Sequence, residues 1–307
     1  MTAVALVTTG NARARFAPPL AAALEGIGAR LLPEGDDAAA EWVVMEDLPD
    51  GFDPARYPRA RAVLALWAGI EAMLPAIPPD LPLVRLIDPE GLSAGMTEWV
   101  LGHVLRHHLG LDRYLGAAPH WDRRVPPLAR ERRVGVLGLG ALGAASASAL
   151  ARVGFDVAGW SRSPKAIPGV ASRCGPDGLR AVIARSGILV LLVPHTPETE
   201  GLMDAERLGW MPEGAALLNP GRGALVDEAA LLAALGAGRP AAATLDTFRT
   251  EPLPPDHPFW SHPAVTITPH VASATRPDSA ARAVAANIAR ARRGAPMEGL
   301  VDRARGY

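Results

Sequence analysis

From Arg133 to Gly143 the chain reads Arg-Val-Gly-Val-Leu-Gly-Leu-Gly-Ala-Leu-Gly, and an Ala-rich stretch of helical character follows to about Val153. A second apolar run, Phe155 to Trp160, comes directly afterwards. Few folds accept the order of strand, glycine turn, helix and strand. It is the opening of a dinucleotide-binding βαβ unit. Gly138 permits the tight turn. Gly140 lets a pyrophosphate approach the backbone, and Gly143 lets the helix pack close to the strand. The N–H groups and positive dipole end of that helix then face the phosphates.

The end of the second strand bears on which dinucleotide binds. A site selective for NAD places Asp or Glu there, to accept from the ribose 2′-hydroxyl. Here the chain continues Ser161-Arg162-Ser163-Pro164-Lys165, with no acid. Hydroxyls and two cations attract a 2′-phosphate, which a carboxylate would repel. The reading is NADP(H), with NAD(H) as the second choice. The alternative for Arg162 and Lys165 is an ordinary solvated loop.

At 307 residues the chain has room for two domains of ordinary size. A net charge of −1 with 49% apolar residues argues for a globular protein and against a general nucleic-acid or membrane surface. No stretch approaches the ~18 apolar residues of a membrane helix. Met1-Thr2-Ala3-Val4-Ala5-Leu6-Val7 lacks the basic start of a signal peptide and reads as a first strand. Cys174 is the only cysteine, so there is neither an internal disulfide nor a cysteine metal cluster. These features fit a cytoplasmic protein.

Apolar runs at Ala3 to Val7, Trp42 to Met45, Ala62 to Leu66 and Leu83 to Ile87 read as strands of a first α/β unit, with helical stretches near Pro18 to Glu25 and Gly69 to Leu74. A long helix is expected from Thr97 to about Tyr114, then a looser segment with Pro119, Pro126 and Pro127. Later strands fall at Ile188 to Val193, Ala216 to Leu218, Ala242 to Leu245 and Val265 to Thr268, and a helix rich in Ala and Arg lies in the last 30 residues. The apolar runs suit parallel strands buried on both faces.

Three of those strands lead into segments rich in chemistry: Asn219-Pro220-Gly221-Arg222-Gly223, Asp246 through Glu251-Pro252, and Thr268-Pro269-His270. Ligands of open α/β sheets sit at the carboxyl ends of the strands, so these loops should converge on the reactive end of the cofactor. Arg222, between two glycines, suits a carboxylate and can polarise a neighbouring carbonyl. His270 can give and take a proton near neutral pH. Glu251 can accept from the far nitrogen of His270, fixing its tautomer and favouring the imidazolium. Asp246 is expected to bond a nicotinamide carboxamide. Taken singly, each has a plainer reading as a surface turn, a structural histidine or a solvated acid. The remaining histidines, His103, His107, His108, His120, His195, His257 and His262, show no metal-ligand spacing, and no metal is expected.

These residues resemble the D-isomer-specific 2-hydroxyacid dehydrogenases. The segments that carry the resemblance are Gly138 to Gly143, Leu191-Leu192-Val193-Pro194-His195-Thr196-Pro197-Glu198-Thr199, Asn219 to Gly223, Leu245 to Leu253, and Thr268-Pro269-His270. Gly159-Trp160-Ser161-Arg162-Ser163, Arg85-Leu86-Ile87-Asp88-Pro89, Met96 to Leu101, Leu105-Arg106-His107-His108 and Thr275-Arg276-Pro277 are similar to the glyoxylate/hydroxypyruvate reductase A group. The resemblance implies an α/β protein of two Rossmann-like or flavodoxin-like domains. The central dinucleotide-binding domain, residues 98–275, is inserted into a split substrate-binding domain, residues 1–97 plus 276–307. It implies catalysis by Arg222, Glu251 and His270 and a small 2-keto or 2-hydroxy acid as substrate. NADP(H) would be the preferred cofactor, and the assembly a homodimer. Cofactor contacts are implied at Ala141, Leu142, Val193, Pro194, Thr199, Pro220 and Gly221 beside those already named. The loop Trp67-Ala68-Gly69 is implied to hold the substrate carboxylate through backbone N–H groups, together with Arg222 and His270.

Glu46-Asp47-Leu48-Pro49 departs from the group, which usually has a pocket-lining Trp followed by a Pro pair there. An acid facing an anion is unfavourable unless it turns away or meets a cationic or hydroxylated substrate group. His195 replaces a more usual Leu, and no function is attached to it. The same chemistry on a larger or differently charged keto acid is one alternative. A non-catalytic protein that senses the dinucleotide is another.

Overall fold

A computed structural model describes residues 1–115, 121 and 123–307; Pro119 and His120 lie outside the described residues. The chain divides into two compact units, Met1–Leu92 with Ala274–Tyr307, and Ser93–Ser273. The divisions therefore fall at 92/93 and 273/274, where the sequence reading placed them at 97/98 and 275/276.

The first unit holds β1 (Thr2–Val7), α1 (Ala12–Glu25), β2 (Ala29–Leu31), β3 (Trp42–Met45), β4 (Val63–Ala65) and β5 (Leu83–Val84). Its strands form a parallel sheet in the order β2-β1-β3-β4-β5, the flavodoxin-like winding. Every residue of β3 and β4 is buried, as expected for strands covered on both faces. α1 starts six residues before the expected Pro18. Pro18 and Pro19 lie inside it, and Ala14 and Arg15, whose carbonyls lose helical partners there, are exposed to water.

Two other expectations fail in this unit. Gly69 to Leu74 is not a helix: residues 71–76 are turns. Pro75 lacks an N–H and disfavours helical backbone at Leu74, and Pro78 and Pro79 follow at once. The run Leu83 to Ile87 gives only the two-residue β5, because beyond it Arg85 N–H bonds Gly299 O (2.9 Å) and Leu86 N–H bonds Trp67 O (2.9 Å).

α2 runs over Leu92–Leu109. It begins five residues before the expected Thr97 because buried Asp88 accepts from Gly91 N (3.0 Å) and Leu92 N (3.3 Å) and closes the first turn. It ends at Gly110, whose φ of 65° sits in the left-handed region that glycine tolerates, before the expected Tyr114.

The second unit continues with β6 (Arg133–Leu137), α3 (Ala141–Val153), β7 (Asp156–Trp160), β8 (Val170–Arg173), α4 (Gly175–Arg185), β9 (Ile188–Leu191), α5 (Ala205–Gly209), β10 (Ala216–Asn219), α6 (Glu228–Gly236), β11 (Ala242–Leu245) and β12 (Val265–Ile267). The sheet is parallel, in the order β12-β11-β10-β9-β6-β7-β8. β6 has β9 on one side and β7 on the other, so the winding reverses there and opens a crevice at its carboxyl end. β2 and β8 were missed by the sequence reading: one has three residues, and the other is a half-exposed edge strand without an apolar run. α7 (Pro277–Arg292) packs against α1 in the first unit. Among the described residues, no helix is long and apolar enough to cross a membrane.

α2 lays His107 against the second sheet, with Nε2 2.9 Å from Thr244 Oγ1. Burial, with Arg106 beside it, lowers the imidazole to about 4. The folded state keeps His107 neutral while the unfolded chain takes up a proton below about pH 6.5. Stability is therefore intact above pH 6.5 and falls as pH drops toward 4, by about 3 kcal/mol in all. Denaturation midpoints measured across that range should show the loss in the wild type and a flatter profile in His107→Gln. Equal slopes in the two proteins would refute the assignment.

Candidate active site

The glycine turn has the geometry a dinucleotide needs. Gly138 has φ 100°, and a Cβ on it would sit 2.3 Å from the Leu192 carbonyl oxygen. A Cβ on Gly143 would lie 1.7 Å from the Gly138 carbonyl oxygen, so only glycine lets α3 pack this close to the turn. A Cβ on Gly140, at the N-cap of α3, would meet nothing within 4 Å. That open backbone face at a helix N-terminus, flanked by Ala141 and Leu142, fits a pyrophosphate.

β7 ends at Trp160, and the next loop is pinned to β8. Ser161 N–H donates to Arg173 O (3.1 Å), Ser161 Oγ to Ser163 O (2.7 Å), and Lys165 N–H to Ser172 Oγ (2.9 Å). Arg162, Ser163 and Lys165 are exposed. Arg173, opposite Trp160 in the parallel register, adds a third cation to this edge. Sequence reasoning missed it because β8 was not recognised.

The loop after β9 carries Val193, Pro194 and Thr199. The Thr199 hydroxyl accepts from Thr196 N (2.8 Å) and lies 2.7 Å from the Pro194 carbonyl, so it shapes its own loop. His195 Nε2 meets Glu200 Oε2 at 2.6 Å, and Glu200 Oε1 accepts from Arg249 Nη1 at 2.6 Å. Arg249, then His195, hold the Glu200 carboxyl below the usual range. Arg249 also donates to Ala224 O (3.3 Å), which ties together the loops after β9, β10 and β11.

In the loop after β10, buried Asn219 organises Pro220, Gly221 and Arg222: its Nδ2 donates to Arg222 O (2.8 Å) and its Oδ1 accepts from Gly221 N (3.2 Å). A Cβ on Gly223 would stand 2.0 Å from the Phe248 carbonyl carbon, so this glycine lets the Arg222 and Glu251 loops touch. Glu251 accepts from Phe248 N through Oε1 (2.8 Å) and meets His270 Nδ1 through Oε2 (2.7 Å). With Nδ1 engaged, proton exchange falls to Nε2.

His270 has φ 52°, the one positive φ of a non-glycine among the described residues. Its conformation is built by Asp246. The Asp246 carbonyl accepts from His270 N (2.8 Å). The Asp246 carboxylate accepts from Thr268 Oγ1 (2.5 Å), Val271 N (2.9 Å) and Ala272 N (2.9 Å). Asp246 is 1% exposed. These bonds tie the Asp246 carboxylate to the His270 loop.

In the first unit, Trp67-Ala68-Gly69 follows β4. Trp67 Nε1 donates to the Glu46 carbonyl, and Leu66 O accepts from Thr275 Oγ1 (2.6 Å). Glu46 lies at the carboxyl end of β3, beside that loop. Among the described residues its Oε2 is buried without a hydrogen-bond partner. Burial and then the neighbouring Asp47 push its carboxyl up, toward the neutral form. Among the described residues, no group of three His, Cys, Asp or Glu side chains is placed to hold a metal.

Residues 99–272 match the family model for the D-isomer specific 2-hydroxyacid dehydrogenase NAD binding domain. The glyoxylate/hydroxypyruvate reductase A of Yersinia enterocolitica is 41% identical over 282 residues, 89% of this chain and 90% of that protein. The enzyme of the same name from Serratia proteamaculans is 40% identical, again over 89% of this chain and 90% of that protein. A D-isomer specific 2-hydroxyacid dehydrogenase of Xanthobacter autotrophicus, solved with NADPH and MES, superposes with a TM-score of 0.89 at 42% identity, covering 100% of this chain and 99% of that one. The NADPH-dependent glyoxylate/hydroxypyruvate reductase of Sinorhizobium meliloti, solved with NADP and sulfate, gives 0.84 at 31% identity over 100% of both chains. With the glycine turn, the two parallel sheets and the Glu251–His270 pair in place, the chain belongs to the D-isomer specific 2-hydroxyacid dehydrogenases.

Proposed function

We propose that the protein reduces a small 2-keto acid of the glyoxylate or hydroxypyruvate type to the 2-hydroxy acid, with NADPH as reductant and His270 as general acid. The observation that carries the reading is the 2.7 Å contact of His270 Nδ1 with Glu251, on loops that follow β11 and β12 in a sheet whose first turn fits a dinucleotide. NADPH held at the Gly138–Gly143 turn would supply the hydride that the keto carbon needs. His270 gives its Nε2 proton to the carbonyl oxygen as that oxygen becomes negative, and keeps its Nδ1 proton, which it donates in a hydrogen bond to the Glu251 carboxylate. The Glu251 carboxylate balances the imidazolium beforehand, and solvent restores the Nε2 proton afterwards. Arg222 stabilises the negative charge growing on the substrate oxygen. The Trp67-Ala68-Gly69 loop takes the substrate carboxylate on backbone N–H groups. Purified protein should oxidise NADPH, followed at 340 nm, with glyoxylate or hydroxypyruvate. Binding of NADPH without turnover on either acid would overturn the reading.

Ser161, Arg162, Ser163, Lys165 and Arg173 are assigned to the 2′-phosphate. The Sinorhizobium relative is NADPH-dependent and the Xanthobacter relative was solved with NADPH, which supports the assignment. Arg162→Ala with Lys165→Ala should lower kcat/KM for NADPH by roughly ten-fold or more and leave NADH nearly unchanged. An equal loss with both cofactors would remove these residues from the selectivity site.

Glu46 supports a second reading, the same chemistry on a keto acid whose tail carries a hydroxyl or a cation, because its buried Oε2 has no protein partner among the described residues. Faster turnover of such acids than of glyoxylate, reversed in Glu46→Leu, would favour it. Unchanged selectivity in Glu46→Leu would dismiss it.

A further inference from the structure

The segment from Trp67 to Pro82 is rich in proline and short of backbone donors. Pro75, Pro78, Pro79 and Pro82 have no N–H. Carbonyls that a helix would have satisfied therefore need other donors. One side chain from the far end of the chain supplies them. Arg303 Nη1 donates to Ile77 O (3.0 Å) and Leu74 O (3.3 Å), and Nη2 donates to Pro78 O (2.8 Å) and Leu81 O (2.9 Å). A planar guanidinium with a fixed fork of donors suits four carbonyls around one centre, and an ammonium does not reproduce that fork.

The tail is placed for this by its own contacts. Leu300 bridges Val84 in antiparallel fashion, and Val301 N–H donates to Leu83 O (2.9 Å). Gly299 has φ 81°, and a Cβ on it would lie 2.4 Å from Arg85 O, so the tail reaches β5 only through a glycine. The Val301 side chain is buried in the same apolar cluster as Ile70, Met73 and Ile77. The opposite end of the segment is tied separately, by Trp67 Nε1 on the Glu46 carbonyl and by Leu86 N–H on the Trp67 carbonyl (2.9 Å). Ala68 and Gly69 thus lie between the bonds at Trp67 and the segment, 74–81, that Arg303 gathers.

We propose that Arg303 is a positioning residue for substrate binding: by gathering the carbonyls of residues 74–81 it holds the Trp67-Ala68-Gly69 loop in the shape that receives the substrate carboxylate. The inference rests on the reading above that this loop takes that carboxylate. Without Arg303 the segment after the loop loses its carbonyl anchor, and the substrate must order the loop on binding, which weakens affinity without touching the proton or hydride step.

The test is Arg303→Met and Arg303→Lys in the full chain, with kinetics and amide hydrogen exchange. Arg303→Met should raise KM for the keto acid roughly ten-fold, with kcat and NADPH affinity close to wild type. Amides of residues 66–81 should exchange faster while those of β6 and β9 keep their protection. Arg303→Lys should fall between, since its ammonium reaches fewer of the carbonyls. Faster exchange with an unchanged KM would make Arg303 a purely structural residue, and unchanged exchange would remove it from the loop altogether; either result overturns the proposal. A wild type that turns over no keto acid would instead overturn the reductase reading, and with it the carboxylate role, while the exchange data still decide whether Arg303 holds the loop.

Discussion

His270→Asn should lose about 10²–10⁴-fold in kcat while binding NADPH as the wild type does. Asparagine is the informative replacement because His270 sits at φ 52°, and Asn tolerates the left-handed region better than most residues. The loop then keeps its course, and the measured loss reports the missing proton donor. The Asn amide cannot deliver a proton to an alkoxide near neutral pH: its Nδ2 can take the place of Nδ1 against Glu251, but nothing replaces Nε2. The expected signature is a lower kcat with dinucleotide affinity, followed by fluorescence titration, within about two-fold of wild type. A decrease of less than ten-fold would mean that another group or water supplies the proton. Lost NADPH binding would mean that His270 shapes the dinucleotide site instead.

The second large effect is expected at Asp246, which is buried against the His270 loop. Its carboxylate accepts from the Thr268 hydroxyl and from the Val271 and Ala272 amides, and the residue is 1% exposed. Asp246→Ala leaves those donors facing a cavity. Each unsatisfied buried donor costs about 1–3 kcal/mol, so the fold should lose at least about 3 kcal/mol. Asp246→Asn keeps one acceptor oxygen but turns an NH2 group toward neighbouring N–H donors, so it too should be destabilised. In both variants kcat should fall with stability, because the same bonds hold the backbone that aims His270. Denaturant midpoints and turnover measured on the same preparations decide the matter. Full activity at reduced stability would show that His270 is aimed by something other than this carboxylate. Unchanged stability would show that water can replace it.

The β6–α3–β7 unit was legible because three glycines at fixed spacing, an apolar run before them and an Ala-rich stretch after them are all local signals. Arg222, Glu251 and His270 stood out as candidates for a related reason. Each follows an apolar strand directly, and parallel sheets gather such positions at one edge. The failures share a different cause. Gly69 to Leu74 has helical composition, but Pro75, Pro78 and Pro79 deny it a continuation. β8 has no apolar period because it is an edge strand, half exposed. α2 begins at Leu92 because of Asp88, a cap whose side chain is itself fixed by Ser279 Oγ (2.6 Å), 191 residues away.

The sequence by itself determined the fold class and the dinucleotide turn, and put Glu251 and His270 forward as the candidate pair, because those readings follow from glycine sterics, strand hydrophobicity and side-chain chemistry within a few residues. Only the tertiary structure decided that Asp246 serves the His270 loop, that Arg173 joins the Ser161–Lys165 edge, and that Arg303 anchors residues 74–81. Those roles depend on which unsatisfied donors and acceptors meet across tens or hundreds of residues. Local propensity carries no record of such meetings; they are settled when burial forces each polar group to find a partner.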